Sequence, residues 1–241
     1  MILKYEKSRV KAIMMQKAGI TILAGAYGSG KSEVAVNYAL ARAAAGHAPV
    51  LADLDLVNPY FASRDAAAEI EAAGIRLLAP RPDLAYGDVP SLPPEILGII
   101  NNRQEMIIDV AGDEFGALVL GYLSSHLMAR GDYEFWLVVN PFRPFAGDLE
   151  SITATKTLIE EAARMSLTGI VSNPNLLEAT DIEAICEGHA RVGEYAQALG
   201  LPIKMLAVEE KFFSRIELQA WIGQLFPLRL YLRPDWISDS R

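Results

Sequence analysis

The sequence predicts an α/β fold, namely a doubly wound, mainly parallel sheet of about seven strands with helices on both faces. Two observations predict it. Short apolar, β-rich runs alternate with helix-like stretches along most of the chain, and most of these runs are apolar throughout, as strands covered on both faces should be. A chain of 241 residues is long enough for one such domain. We therefore expect a leader at 1–17, one domain at 18–226 and an extended tail at 227–241.

The alternation of runs and stretches sets the predicted order of elements. The predicted strands are 20–24, 50–54, 75–79, 106–110, 135–139, 168–172 and 203–208. The helix-like stretches are 32–45, 61–73, 94–101, 117–129, 149–165, 181–199 and 215–226. Gly46, Gly74 and Gly200 each follow such a stretch, where a left-handed C-cap favours glycine. The five prolines between residues 79 and 94 predict an irregular surface loop.

Composition excludes several classes of protein. The chain has 22 basic and 30 acidic residues and a formal net charge of −8, which argues against non-specific binding of nucleic acid. Its one cysteine, Cys186, excludes an internal disulfide framework and a paired redox motif. No apolar run is long enough to span a membrane, and the charged first 18 residues lack the apolar core of a signal peptide. These features predict a cytoplasmic protein that does not bind membranes.

The strongest motif is the glycine-rich segment at 25–32, which matches the pattern G-x-x-x-x-G-K-[ST] in full. An apolar strand precedes it and a helical stretch follows, so backbone N–H groups and the helix dipole there favour phosphate oxygens. We expect Lys31 to bridge the β- and γ-phosphates of a nucleotide and Ser32 to ligate Mg²⁺. The residues predicted to bind the nucleotide here are Gly25, Ala26, Tyr27, Gly28, Ser29, Gly30, Lys31, Ser32 and Glu33.

Carboxylates follow two of the apolar runs. Asp53 and Asp55 close the second predicted strand, and Asp109 closes the fourth. The carboxyl ends of parallel strands form the ligand-binding edge of an open sheet. We therefore expect Asp109 to hold Mg²⁺ and Gly112 to offer its N–H to the γ-phosphate. Helix capping or turn formation is the alternative role for Asp53, Asp55 and Asp113.

These motifs together resemble a known family. A phosphate loop, then Asp53-x-Asp55, then Asp109-x-x-Gly112, resembles the MinD/ParA/CobQ-type P-loop ATPases. That superclass also contains the nitrogenase iron protein and dethiobiotin synthetase. The resemblance covers about residues 18–226.

The stretch 53–64 is similar to MinD-like ATP-binding proteins in particular. The resemblance implies ATP and Mg²⁺ as cofactors, Lys31 as a catalytic residue, and ATP-dependent homodimers. It also implies that one aspartate, Asp53 or Asp55, positions the attacking water and helps to bind Mg²⁺, without deciding which. The predicted metal ligands are Ser32, Asp55 and Asp109.

The chain departs from the family pattern at three places. Many members carry a signature lysine five residues before the lysine of the phosphate loop, where this chain has Ala26, so we expect slow hydrolysis. The single Cys186 does not suffice for the cluster of the iron-protein branch. Pro227 and Pro234 suit an extended C-terminal segment better than a membrane-binding amphipathic helix.

The segment after the sixth predicted strand indicates which base the bound nucleotide carries. A guanine-binding loop has the pattern Asn-Lys-x-Asp, whereas this chain has Pro174 and Leu176 at its second and fourth positions. We therefore expect adenine, which the resemblance places against Asn173. The segment 207–212 is predicted either to wall the same pocket or to be an ordinary exposed loop. Arg143 is expected to reach a phosphate or a partner, or else simply to pack its loop.

Three functional hypotheses follow. The first is a Mg²⁺-dependent ATP-binding protein, a slow ATPase that acts as a nucleotide-dependent switch for a protein partner. The second is an ATP-dependent small-molecule kinase or ligase of the dethiobiotin synthetase type. The third is a nucleotide-binding module without turnover, which suits the alanine at position 26.

Overall fold

The computed structural model describes residues 19–54, 66–79, 95–111, 114–213, 215–216 and 224–232. Within these residues, eight strands form one sheet of parallel pairs in the order β3-β2-β4-β1-β5-β6-β7-β8. The strands are β1 (Ile20–Ala24), β2 (Val50–Leu54), β3 (Arg76–Leu78), β4 (Met106–Val110), β5 (Tyr133–Val139), β6 (Gly169–Ser172), β7 (Ile203–Glu209) and β8 (Gln224–Leu228). The predicted doubly wound α/β fold is confirmed, with one strand more than expected.

Helices connect the strands. Those within the described residues are α1 (Lys31–Ala44), α2 (Ala67–Ala72), α3 (Glu95–Asn101), α4 (Glu114–Arg130), α5 (Leu149–Ala163), α6 (Ile182–Leu199) and α7 (Glu210–Phe213). Short 3₁₀ turns cover Pro144–Ala146 and Leu177–Ala179. In this part of the chain, no helix combines the length and apolarity needed to cross a membrane.

The two faces of the sheet bury separate apolar cores. Along β1, Ile20, Ile22 and Ala24 belong to one buried cluster, whereas Leu23 belongs to the other, because successive strand residues point to opposite faces. Helices α1 and α2 pack on the Leu23 face, and α3 to α6 pack on the Ile22 face. Covering both faces explains why the strands are apolar throughout.

Capping aspartates fix the starts of two helices. The Asp148 carboxylate accepts a hydrogen bond from the Ser151 N–H at 2.8 Å, and the Asp181 carboxylate accepts one from the Ala184 N–H at 2.8 Å. Each bond satisfies a helix N–H that has no partner within the helix. The cap at Asp148 sets where α5 begins after the loop that follows β5.

The C-terminal end of the domain differs from the prediction. The predicted helix over 215–226 is wrong at its end, because Gln224–Leu228 form β8. The expected boundary at residue 227 therefore falls inside a strand, where Pro227 lies opposite Val208 of β7. Strand β8 lies at the edge of the sheet, where a proline is tolerated because its missing N–H breaks no further pairing.

Some predicted segments lie outside the described residues. These are the leader at 1–17, residues 80–94 of the proline-rich loop, and the tail from residue 233 onward.

Candidate functional site

The glycine-rich loop connects β1 to α1 at the carboxyl edge of the sheet. The Ser29 N–H donates to the Ala26 carbonyl at 3.1 Å, which closes a turn. Gly28 and Gly30 have φ angles of 76° and 83°, values that side chains disfavour and glycine adopts freely. The backbone therefore requires glycine at these two positions of the motif.

The cation and the hydroxyl of the motif begin helix α1. Lys31 and Ser32 are its first two residues, and only 7% and 9% of their surfaces are exposed. Tyr27, in the middle of the loop, is 63% exposed. The buried pair thus occupies the positive end of the helix dipole, where an anion is stabilised.

Two carboxylates lie at neighbouring strands beside the loop. Asp53 of β2 is the register partner of Asp109 of β4, and Asp109 is in turn the partner of Leu23 of β1. Both carboxylates are fully buried. Carboxylate and hydroxyl oxygens are ligands that Mg²⁺ prefers alongside phosphate and water, so Asp109 and Ser32 suit that ion chemically.

Other predicted site residues lie outside the described part of the chain. These are Asp55, Gly112 and Asp113. Their predicted roles as metal ligand, γ-phosphate contact and turn residue therefore stay predictions.

Asn173 links the predicted base-binding segment to the phosphate loop. Its buried side-chain amide donates from Nδ2 to the Ser29 carbonyl at 2.8 Å. A Cβ added at Gly30 would lie only 2.3 Å from the same Nδ2. Asn173 therefore holds the loop in shape, and its predicted contact with adenine stays a prediction.

Asn140, at the end of β5, ties two loops together and was not predicted as a site residue. Its Nδ2 donates to the Asn175 carbonyl at 2.8 Å, and its Oδ1 accepts from the Phe142 N–H at 3.1 Å. The sequence did contain a signal, because Asn140-Pro141 repeats the Asn-Pro pattern found after β6.

Residues 229–232, here called the C-terminal strap, bind to two polar side chains of helix α1. Glu33 accepts from the N–H groups of Tyr231 and Leu232 at 2.6 Å and 3.2 Å. The Asn37 side chain donates to the Arg229 carbonyl and accepts from the Arg229 N–H, both at 2.8 Å. The strap is thereby fixed beside the start of the helix that follows the phosphate loop.

A cavity of about 150 Å³ opens between the phosphate loop and the strap. One part of its lining is apolar and contains the strap leucines, and another contains three asparagine side chains. The lining residues are Gly28, Gly30, Glu33, Asn140, Arg143, Asn173, Asn175, Leu177, Glu178, Leu228, Leu230 and Leu232.

The segment 207–212, one of whose two predicted roles was to wall the base pocket, is not among the residues described as lining this cavity. Phe212 packs into a small separate core with Leu206 and Val208. The described cavity lining instead includes Leu230 and Leu232 of the strap, a segment predicted to be part of a tail.

The order of the sheet and its connecting helices give this chain an α/β fold that it shares with solved structures of FtsY. Among solved structures, FtsY from Mycoplasma mycoides matches with a TM-score of 0.55 and 16% identity, over 81% of this chain and 61% of that one. FtsY from Thermotoga maritima matches with a TM-score of 0.53 and 16% identity, over 85% and 69% of the two chains. FtsY from Elizabethkingia anophelis in complex with GDP matches with a TM-score of 0.51 and 15% identity, over 83% of this chain and 64% of that one.

Identity this low establishes the shared fold alone. The chain also spans only 61% of the length of the first of these proteins. A scan against protein-family models and a search of curated proteins gave no match.

Proposed function

We propose that the chain binds Mg²⁺ and ATP at residues 25–32 and acts as a slowly hydrolysing, nucleotide-dependent switch for a protein partner. One observation carries the proposal. The buried Lys31 begins the helix after a complete phosphate-loop motif, and buried Asp53 and Asp109 lie on adjacent strands next to that loop. A cation and carboxylates buried at one sheet edge are the parts that phosphoryl transfer requires.

The phosphate end of the site divides these tasks among the residues. Lys31 binds the β- and γ-phosphates, and the loop N–H groups bind the remaining oxygens. Ser32 and Asp109 hold Mg²⁺, which neutralises phosphate charge when it is bound. Asp53 or Asp55 orients the attacking water.

The base end is assigned to the cavity beside the loop. Leu230 and Leu232 offer an apolar surface to a purine face, and Asn173 and Asn175 offer amide groups to its polar edge. The segment 173–176 lacks the lysine and aspartate of a guanine-binding loop, which supports ATP. One matched FtsY structure is a complex with GDP, so GTP is the comparison ligand.

The switch function is supported by exposed aromatic side chains near the site. Tyr27 of the loop is 63% exposed and Phe145 of the loop after β5 is 59% exposed. Exposed aromatic groups often mark protein-binding surfaces. A nucleotide bound at the loop would alter the surface that carries Tyr27 and Phe145. A partner protein or a second copy of the chain would bind there. Light scattering of the chain with and without ATP distinguishes these two.

Replacing the loop lysine tests the site. Lys31→Ala should weaken ATP binding at least roughly tenfold, because hydrogen bonds to charged groups contribute about 1.5–3 kcal/mol. Isothermal titration calorimetry with ATP and with GTP, each with and without Mg²⁺, measures this. Lys156→Ala is the matched control, because Lys156 pairs with Glu160 on α5 and plays no part in the loop.

Each result has a defined meaning. Equal ATP affinity of Lys31→Ala and wild type would show that the site is wrongly assigned. Tighter binding of GTP than ATP would correct the base and leave the phosphate site in place. Prolonged incubation with Mg²⁺ and ATP that yields no ADP, even with partners present, would replace the ATPase with a non-hydrolysing module.

A further inference from the structure

We propose that Arg143 is a second cationic contact for the nucleotide phosphates, supplied by the same chain from the loop after β5. The inference rests on the proposed nucleotide site and adds a binding residue to it. Three observations carry it: the position of the side chain against the phosphate loop, the way its backbone is held, and the missing partner of its buried Nε among the described residues.

The Arg143 side chain lies against the phosphate loop. Its Nε, Cδ and Cγ atoms are 3.5, 3.6 and 3.9 Å from the point that a Cβ on Gly28 would occupy. Gly28 is the middle glycine of the motif, and both residues line the cavity between the loop and the strap. The guanidinium group therefore lies where an anion bound by the loop would be within its reach.

The backbone around Arg143 is fixed by hydrogen bonds. The Arg143 N–H donates to the Asn140 carbonyl at 3.1 Å, and its carbonyl accepts from the Ala146 N–H at 2.9 Å. The Asn140 side chain in turn binds the Asn175 carbonyl. These bonds fix the backbone position from which the Arg143 side chain extends, so the loop itself need not be ordered when a ligand binds.

The Arg143 Nε is buried and has no hydrogen-bond partner among the described residues. Other buried or half-buried arginines are paired with carboxylates: Arg42 with Glu105, Arg130 with Asp132 and Arg191 with Glu187. Buried polar groups without a partner are rare and call for a specific explanation. Arg143 as a whole is only half-buried, so the outer N–H groups of the same guanidinium are left to meet a ligand anion beside Gly28.

The chemistry of the two groups favours phosphate as that anion. A guanidinium group presents its N–H donors in a fork that matches phosphate oxygens in pairs. The loop itself contributes one side-chain cation, Lys31, because position 26 is alanine. Arg143 adds a second positive charge against the several negative charges of a triphosphate.

The test compares Arg143→Gln with wild type, using ATP and GTP as triphosphates and adenosine and guanosine as nucleosides. We expect Arg143→Gln to weaken triphosphate binding by roughly tenfold or more and to leave nucleoside binding unchanged. Arg143→Lys should recover part of the loss, because it restores the charge without the fork. Arg76→Gln is the matched control, since Arg76 is exposed on edge strand β3 and only loosely paired with Glu95.

The outcomes separate this inference from the proposed function. Wild type that binds neither ATP nor GTP overturns both. If wild type and Arg143→Gln bind a triphosphate equally tightly, the role of Arg143 is overturned and the proposed nucleotide site stands. An equal loss of nucleoside and triphosphate affinity in Arg143→Gln also overturns it, because that result indicates a deformed pocket and not a phosphate contact.

Discussion

Gly30 shows how a single atom decides the shape of the phosphate loop. Its φ angle is 83°, and an added Cβ would lie 2.3 Å from Asn173 Nδ2. The Asn173 amide is in turn bonded to the Ser29 carbonyl. Any side chain at residue 30 therefore strains the backbone and also displaces the group that holds the loop.

Gly30→Ala should lower the free energy of unfolding by about 1–2 kcal/mol through the left-handed backbone and should also abolish nucleotide binding. Gly46→Ala is the matched control, because Gly46 has a φ angle of 92° but nothing within 4 Å of an added Cβ. Urea denaturation and calorimetry with ATP measure the two effects. The control should lose stability and keep its affinity. Retained affinity in Gly30→Ala would contradict the role given to this glycine.

For single residues, the sequence predicted those roles that a local motif assigns to a position. Lys31 and Ser32 begin α1 one residue before the predicted start at 32, and the motif ties each type to one position of a strand–turn–helix unit. The bond from Asn173 to Ser29 joins residues 144 positions apart, and no local pattern encodes it. Asn140 was missed although its Asn-Pro pattern repeats the one at Asn173-Pro174, because its bond to the Asn175 carbonyl spans 35 positions.

The C-terminal strap and helix α1 act as one structural element. Four hydrogen bonds join the backbone of the strap to just two side chains, Glu33 and Asn37, one turn apart. Glu33 directly follows Ser32 of the motif, so the strap is attached next to the predicted metal ligand. Its leucines also line the cavity, so its attachment determines the shape of that cavity.

Glu33→Ala should release the strap and lower the free energy of unfolding by about 1–2 kcal/mol, because a carboxylate that accepts two N–H groups is lost. Hydrogen exchange of residues 229–232, followed by mass spectrometry, should accelerate. Glu150→Ala is the control for the helix dipole, since Glu150 is an exposed acid in the first turn of α5. Unchanged exchange in Glu33→Ala would show that the strap is held by other contacts.

Element prediction succeeded where periodicity is strong. Helix α6 was expected at 181–199 and covers Ile182–Leu199, because its apolar face repeats at helical spacing. Strand β8 was missed because residues 224–226 were assigned to a helix and Pro227 to an extended tail. The edge position of the strand permits that proline. Local sequence does not determine which strands lie at the edge of a sheet.

The order of the strands in the sheet determines where the candidate nucleotide site lies. Strand β1 lies between β4 and β5, so the chain leaves it toward one side through β2 and later crosses to the other side. Ligands bind in the crevice that such a reversal opens at the carboxyl ends of the strands. The sequence predicted the alternation of elements but not this order, since every central strand is equally apolar and carries no mark of its neighbours.

The sheet also contains a polar junction that couples its stability to pH. Glu134 of β5 accepts hydrogen bonds from Thr168 and from the Trp136 indole, and it pairs with Lys204 of β7 at 2.9 Å. Burial alone would raise the pKa of Glu134, but the bonds from Thr168, Lys204 and Trp136 outweigh it and hold the pKa below the ordinary 4.5.

A lowered pKa in the folded state means that Glu134 contributes stability above its unfolded pKa and loses it as the pH falls through the folded value. Glu134→Gln should therefore be less stable than wild type at pH 7, and this difference should shrink below about pH 4.5. The difference should stay within about 1 kcal/mol, because the side chain is 44% exposed. Urea denaturation between about pH 7 and 3.5 measures it, with exposed Glu150→Gln as control. A constant difference across this range would show that the junction does not titrate as described.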